Sequence, residues 1–96
     1  MIRLTYTQLA LRDLARIHTW SVEQFGEDQA DLYLRQIVAR LEKAASAPGL
    51  FRDASSVRPG LLSLRTGSHV AYVLSLSGNF QVVRILHSRM DAVRWV

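Results

Sequence analysis

The segment from Phe80 to Leu86 constrains the fold most, because it is an almost continuous apolar run near the end of the chain. Only Gln81 and Arg84 interrupt it. Such a run is typical of a strand that is covered on both faces, and it predicts the central strand of a sheet. Arg84 lies inside this run, where a guanidinium is costly to bury unless it has partners or lies at the rim of the sheet.

The residues that follow this run combine charge with large apolar side chains. They include His87, Arg89, Met90, Asp91, Arg94 and Trp95. An arginine beside a tryptophan is a frequent anchor of protein interfaces. We therefore expect the C-terminal segment to contribute to the binding of a target.

Two stretches have the three-four spacing of apolar residues that is typical of amphipathic helices. The first runs from Gln8 to Gln24 and follows a candidate N-cap, Thr5 or Thr7. The second includes the apolar positions from Ala30 to Ala45. Gly26 separates the two and is suited to end a helix. Because the connection is short, the pattern predicts an antiparallel helix hairpin.

Alternation and turn residues predict the remaining strands. Ile2–Tyr6 alternates apolar and polar residues, which favours a short half-buried strand. Leu61–Thr66 and His69–Leu76 read as two strands joined by Gly67-Ser68, a type II′ hairpin signature. Residues 49–60 are expected to form a loop. The predicted fold class is therefore α+β: an N-terminal strand, an antiparallel helix hairpin and a three-stranded antiparallel meander, with helices covering one face.

Length and composition limit the class of protein. A chain of 96 residues predicts a single domain spanning 1–96. It has no cysteine, which excludes disulfides and thiolate metal sites and suits the reducing cytoplasm, where we expect the protein to act. No stretch approaches the roughly 18 apolar residues that a membrane span requires. The three histidines lack metal-site spacing, so we expect no metal and no cofactor.

The positive charge lies in the second half of the chain. Residues 1–49 hold as many acidic as basic residues, whereas residues 50–96 hold six arginines against Asp53 and Asp91, which accounts for the net charge of +4. Arginine suits the bidentate binding of carboxylate or phosphate. The charge therefore indicates an acidic partner, either a nucleic acid or an acidic protein segment. The alternative is a small basic protein that merely stays soluble through its charge.

Some polar residues have a structural interpretation. Asp13 is interpreted as an ordinary helix charge that can pair with Arg12, Arg16 or an arginine of the sheet. Asp91 is expected to hold Arg89 or Arg84. His69 lies directly after the predicted turn and is interpreted as structural. His87 lies at the end of a strand, where we expect its ring to bond a backbone carbonyl or Asp91.

Four segments, in order and spread over nearly the whole chain, carry a resemblance to a known family. They are Ala10-x-x-Asp13-Leu14-x-x-Ile17, Phe25-Gly26-x-x-Gln29-Ala30-x-x-Tyr33-Leu34, Arg58-Pro59-Gly60-Leu61 followed by Gly67-Ser68-His69-Val70, and Arg84-Ile85-Leu86-His87-x-Arg89-Met90-Asp91. Together they resemble the ParE branch of the ParE/RelE superfamily, the toxins of type II toxin–antitoxin modules. The resemblance runs from Leu4 to about Arg94, and the family fold agrees with the outline above.

The resemblance implies a growth-inhibiting toxin, of a class linked to plasmid stabilisation, that binds DNA gyrase without catalysis and stalls the cleaved-DNA intermediate. It also implies a cognate antitoxin with an acidic, amphipathic C-terminal segment. On this interpretation the target-binding residues are Arg84, His87, Arg89, Met90, Asp91 and Trp95. The antitoxin-binding residues are Tyr33, Arg35, Ile37 and Arg40.

Two alternatives stay open. A RelE-like protein would cut messenger RNA on the ribosome, with Arg65, Arg84, His87 and Arg89 as acid, base and cations. The predicted sheet lacks lysine, and the terminal motif has no acid besides Asp91 and no tyrosine, so binding is favoured over cleavage and over direct contact with nucleic acid. The second alternative is an inert module, because Leu62 and Leu74 stand where the family usually or often has arginine.

Overall fold

The computed structural model describes residues 3–96 and confirms an α+β fold. In chain order the elements are β1 (Leu4–Tyr6), α1 (Gln8–Phe25), α2 (Glu27–Ser46), a 3-10 helix (Pro48–Leu50), β2 (Arg52–Asp53), β3 (Leu61–Thr66), β4 (His69–Leu76), β5 (Asn79–His87) and α3 (Ala92–Trp95). The strands form one sheet in the order β1-β5-β4-β3-β2. Strand β1 runs parallel to β5, and the other neighbours are antiparallel. The predicted meander is thus β3-β4-β5; Ile2, the predicted start of the first strand, lies outside the described residues.

The helix hairpin forms where the spacing of apolar residues predicted it. Helix α1 begins after Thr7, the second of the two candidate caps, whose hydroxyl accepts the N–H of Ala10 at 3.0 Å. Gly26, at φ +87°, ends α1 and directly precedes α2. Glu27 and Asp28 occupy the first turn of α2, where negative charge is favourable at the positive end of the helix dipole.

The loop expected over residues 49–60 contains an additional strand. Arg52 and Asp53 pair with Ser63 and Leu62 of β3, so the sheet has five strands and β4, not β5, occupies its centre. A strand of two residues is too short to show the alternation by which strands are recognised. The prediction of a plain loop, and of β5 at the centre of the sheet, was wrong for this reason.

A β-bulge explains much of the long apolar run in β5. Val82 pairs with Val73 and Arg84 pairs with Tyr72, so Val83 is an extra residue in the ladder. Val82 and Ile85, three positions apart, consequently both belong to the core, although strict alternation would place them on opposite faces. Side chains on both faces of β5 were expected to be buried. This is the case only in the second half of the strand, where residues 84–86 are all buried.

The core lies between the helix pair and one face of the sheet. Helix α1 packs on β5 and α2 on β3, and Ile37, Leu41, Val73 and Val82 are fully buried between them. The other face of β4, which is apolar by alternation, points away from this core and is half-buried or exposed. Its residues are Val70, Tyr72, Leu74 and Leu76.

The tip of the β3–β4 hairpin lies against α2. Gly67 has φ +60°, as the first position of a type II′ turn requires. The hydroxyl of Tyr33 accepts the N–H of Ser68 at 3.0 Å and lies 3.2 Å from the carbonyl oxygen of Thr66. A Cβ at Gly67 would lie 2.6 Å from Cε1 of Tyr33, so both the turn and the approach of α2 require glycine here.

We expect Gly67→Ala to lower the free energy of unfolding by about 2–4 kcal/mol. Alanine is strained in the left-handed conformation, and its Cβ would also displace the hydrogen-bonded side chain of Tyr33. Gly78→Ala is the matched control, since Gly78 has φ +85° but no atom of residues 3–96 lies within 4 Å of an added Cβ. Its expected cost is about 1 kcal/mol. Urea denaturation measures both; equal losses in the two variants would contradict a role for the tyrosine contact.

Candidate functional site

A buried ion pair joins α1 to β5. Asp13 is 5% exposed and Arg84 is 9% exposed. The guanidinium of Arg84 donates from Nε and Nη2 to the two carboxylate oxygens of Asp13, at 2.8 and 2.9 Å. The backbone N–H of Ile85 donates to the same carboxylate at 2.9 Å. Of the pairings expected for Asp13, the one with an arginine of the sheet is therefore the one that forms.

Asp13 lies where the edge of β5 has no strand partner. Strand β1 pairs with β5 only from Phe80 to Val82, because the chain then turns into α1. Beyond that point, side chains form the hydrogen bonds at the edge of β5. The hydroxyl of Thr7 donates to the carbonyl of Val83 at 2.7 Å, and Asp13 accepts the N–H of Ile85. Two side chains at the start of α1 thus continue the edge that β1 leaves open.

Arg84 also holds the C-terminal segment. Its Nη1 donates to the carbonyl oxygen of Trp95 in α3 at 2.8 Å. The hydrogen bond to Asp13 raises the pKa of the Arg84 guanidinium, against the opposing effect of burial. Arg84, a candidate for target binding, is 9% exposed and lines the cleft between α1 and the C-terminal segment, with three of its five N–H donors bonded to Asp13 and Trp95.

The other target-binding candidates do lie at the surface. Arg89, Met90, Asp91 and Trp95 are exposed and His87 is half-buried. Asp91 holds neither Arg89 nor Arg84, as had been expected, but accepts the N–H of Val93 at 3.2 Å and thereby caps α3. These five residues lie between the end of β5 and α3, and we call them the tail surface.

Next to the tail surface lies a cluster of four aromatic rings, Trp20, Tyr33, His69 and His87, which we call the aromatic cluster. The rings of His69 and His87, which pair across β4 and β5, meet edge to face with centroids 5.3 Å apart. Trp20 of α1 contacts both, at 5.8 and 6.4 Å. Burial, together with the nearby His87, lowers the pKa of His69 to about 4.

The two histidines have different hydrogen-bond partners, one distant in the chain and one local. The hydroxyl of Tyr33 lies 2.7 Å from Nδ1 of His69, which agrees with the structural interpretation of that residue. Nδ1 of His87 accepts the N–H of Arg89 at 3.1 Å, so its partner is neither the backbone carbonyl nor the Asp91 that had been expected. This bond orients the start of the tail surface.

Two clefts meet at Trp20. One, of about 270 Å³, lies between α1 and the tail surface and includes Arg16, His87, Met90 and Trp95. The other, of about 290 Å³, lies between the helices and the hairpin tip. Trp20 is 37% exposed. Its spacing from Asp13 and Ile17, at i+7 and i+3 on the same helix face, is the sequence signal that places it beside the pair.

The residues expected to bind an antitoxin divide into surface and core. Arg35 and Arg40 are exposed on α2, and Tyr33 is half-buried against the hairpin. Ile37 is 0% exposed in the centre of the core. The helix face that carries Ile37 is turned toward the sheet, so the structure corrects its assignment from a contact residue to a packing residue.

The four residues considered for RNA cleavage do not share one site. Arg65 follows Leu64 and His87 lies two positions beyond Ile85, and both Leu64 and Ile85 face the helices. Alternation along the strands therefore puts Arg65 and His87 on opposite faces of the sheet. Arg84 is occupied by Asp13. Within residues 3–96 there is also no group of three histidine, cysteine, aspartate or glutamate side chains suited to hold a metal ion, and no helix long and apolar enough to cross a membrane.

Comparisons with known proteins agree with this architecture. A family model described as the ParE toxin of the type II toxin–antitoxin system parDE matches residues 4–92. Toxin ParE1 of Mycobacterium tuberculosis (strain CDC 1551 / Oshkosh) is 36% identical over 93 residues, covering 96% of this chain and 95% of that protein. Toxin ParE1 of Caulobacter vibrioides is 32% identical over 83 residues, covering 86% of this chain and 85% of that protein.

A solved structure shares the fold. A chain from the structure titled "Chromosomal ParDE TA system from P. aeruginosa" matches with a TM-score of 0.78 and 22% identity, over 91% of this chain and 96% of that chain. Fold and sequence together define a toxin of a type II toxin–antitoxin system. The chain belongs to the ParE toxin family, which confirms the resemblance.

We expect Asp13→Asn to lower the free energy of unfolding by about 3–5 kcal/mol, because it leaves the buried Arg84 guanidinium without a charged partner. Asp31→Asn is the matched control: Asp31 lies 2.9 Å from His18 in an exposed pair, and such pairs contribute about 1 kcal/mol or less. Chemical denaturation of both variants measures the difference. Losses of similar size would show that the buried pair is no more important than a surface one.

We also expect stability to depend on His69 at acidic pH. In the unfolded chain its pKa returns to about 6.5, so between about pH 6.5 and pH 4 the unfolded state binds a proton that the folded state does not. The free energy of unfolding should therefore fall as the pH drops through this window, by up to about 1.4 kcal/mol per pH unit. His69→Gln should flatten this slope, whereas His18→Gln should preserve it; an unchanged slope in His69→Gln would contradict the assignment.

Proposed function

We propose that this ParE-family toxin acts in the cytoplasm by binding DNA gyrase through the tail surface, without catalysing a reaction. The observation that carries the proposal is the exposure of Arg89, Met90, Asp91 and Trp95 beside a cleft, on a segment held by the Arg84 contact to the last turn. An exposed tryptophan and arginine held on a fixed support make a suitable interface anchor, because little conformational freedom is lost on binding.

The chemistry of the tail surface favours binding over cleavage. The guanidinium of Arg94 lies 5.5 Å from the ring centre of Trp95, so the cation and the indole form one compact unit. The candidate catalytic cations are divided between two faces of the sheet or engaged in the fold. An RNA-cleaving site would need an acid, a base and cations around one phosphate.

The proposed antitoxin segment is acidic and amphipathic. Helix α2 presents the exposed Arg35 and Arg40. Arg35 also lines a groove of about 400 Å³, and the other residues that line it are Leu14, Leu34, Val38, Ala39 and Glu42. Apolar side chains next to arginine suit a helix with one apolar and one acidic face. This groove replaces the buried Ile37 as the apolar part of the proposed antitoxin contact.

The tail surface is tested with the double variant Arg89→Ala/Trp95→Ala in a gyrase supercoiling assay. We expect the concentration needed for half-maximal inhibition to rise at least tenfold, because anchor residues at interfaces contribute about 2 kcal/mol or more. Leu11→Ala/Arg12→Ala is the matched control, since it removes an exposed apolar and an exposed arginine side chain from α1. Its inhibition should stay within about twofold of the unmodified protein.

A translating extract run in parallel separates the alternatives. The proposal expects gyrase inhibition, or accumulation of cleaved DNA, with messenger RNA left intact. Cleavage of transcripts with gyrase unaffected would replace it by the RelE-like activity. No effect in either assay would favour the inert module.

A further inference from the structure

Two histidine side chains lie directly opposite each other where β4 begins and β5 ends. His69 pairs with His87, and the N–H of Ser88 donates to the carbonyl of Ser68 at 2.9 Å. This bond makes the two histidines a non-hydrogen-bonded pair, the arrangement in which opposite side chains of an antiparallel ladder lie closest. Spacing along the chain cannot reveal this pair, because its members come from different strands.

Each imidazole is held through Nδ1, which leaves Nε2 as its open nitrogen. The hydroxyl of Tyr33 lies 2.7 Å from Nδ1 of His69, and Nδ1 of His87 accepts the N–H of Arg89. Within residues 3–96, Nε2 of neither ring makes a hydrogen bond. Both histidines line the cleft between α1 and the tail surface. A histidine in a cleft, with one nitrogen held by the protein and the other open, has the arrangement of a metal ligand.

The hydrogen bonds of Tyr33 suit Nε2 of His69 to be a ligand atom. The hydroxyl accepts the N–H of Ser68 at 3.0 Å and donates its single proton to the carbonyl of Thr66, 3.2 Å away. His69 then donates its Nδ1 proton to the same hydroxyl. All four groups are satisfied in this way, and the lone pair of Nε2 is available for a cation.

A thioether lies in the same cleft. The N–H of Met90 donates to the carbonyl of His87 at 2.9 Å, which closes a turn and brings the two residues together. Met90 lines the cleft with both histidines. A thioether beside imidazoles is a soft set of ligands, which selects monovalent copper. Within residues 3–96 no three histidine, cysteine or carboxylate side chains converge, so Zn²⁺ lacks the ligands that it usually takes.

The surroundings of the cleft favour a cation of low charge. Trp20 contacts both imidazoles, with ring centroids at 5.8 and 6.4 Å, and an indole attracts a cation that lies near it. Arg16 and Arg84 line the same cleft, whereas Asp13, the one carboxylate among the lining residues, is already paired with Arg84. A monovalent ion is repelled less by the arginines than a divalent ion is.

We propose that His69, His87 and Met90 bind one monovalent copper ion in the cleft beside the tail surface. The two Nε2 atoms and the thioether sulfur are the ligands, and the indole of Trp20 lies beside the ion. A neutral imidazole that binds a metal through Nε2 carries its proton on Nδ1, so His87 then no longer accepts the N–H of Arg89. Copper therefore competes with the bond that orients the start of the tail surface. Only the effect of copper on toxicity rests on the proposed function.

The probe is copper(I) itself, titrated under argon into the isotopically labelled full chain against the chelator bicinchoninate and followed by NMR. We expect one equivalent to shift the methyl signal of Met90 together with the ring signals of His69 and His87. The amide of Arg89 should exchange faster with solvent, because it loses its acceptor. Zn²⁺ should bind at least tenfold more weakly. Shifts confined to other residues, or Zn²⁺ binding as tight as that of copper, would overturn the proposal.

The decisive variant is Met90→Leu, because Met90 is 38% exposed and leucine keeps an apolar side chain there. The dissociation constant for copper(I) should rise at least tenfold in this variant and in His87→Gln, since each removes one of three ligands. His18→Gln is the matched control: His18 lies outside the cleft in an exposed pair with Asp31, and its replacement should change the constant by less than about twofold. An unchanged constant in Met90→Leu, or equal losses in His18→Gln and His87→Gln, would contradict the site.

The outcome is separable from that of the proposed function. Copper binding is measured without gyrase, and the gyrase assay is run without copper. Copper binding by a protein that does not inhibit gyrase would keep the metal site and contradict the gyrase proposal. Gyrase inhibition by a protein that does not bind copper would do the reverse.

Discussion

The carboxylate of Asp13 is the interaction on which the arrangement of this protein depends. It closes the edge of β5 through Ile85, neutralises Arg84, and through Arg84 holds the backbone of Trp95. A hydrophobic pair of the same size would often stabilise a core as well or better, since burying two charges is costly. The ion pair instead fixes the relative orientation of the elements that it joins, because its donors and acceptors fit only one geometry. It joins the first helix, the longest strand and the last turn in one fixed relation.

The aromatic cluster makes a second connection, from α2 to the tail surface. Tyr33 reaches the hairpin tip and His69, His69 packs against His87, and His87 accepts the N–H of Arg89. The proposed antitoxin surface and the proposed target surface are therefore linked by direct contacts.

Sequence reasoning succeeded where the determinants are local. The helix hairpin, Thr7 as a cap and Gly67 in its turn depend on residues within a few positions of one another. Sequence reasoning failed where two paired residues are far apart in the chain, or where an element is too short to show a periodic pattern. Asp13 and Arg84 are 71 positions apart, so the sequence offered several arginines as partners without deciding among them. The two-residue β2 and the bulge at Val83 leave no periodic signal, yet β2 forms one edge of the sheet and the bulge determines the burial around Arg84.

The two leucines that depart from the family pattern do not belong to one surface. Leu62 packs against the core, as its distance of two residues from Leu64 requires, whereas Leu74 pairs with Leu61 on the other face of the sheet. An arginine at each position would extend positive charge to two separate regions. Neither leucine lines the cleft beside the tail surface. Their effect on function is therefore limited to contacts elsewhere on the sheet, and the charge of both candidate surfaces is carried by arginines that this chain retains.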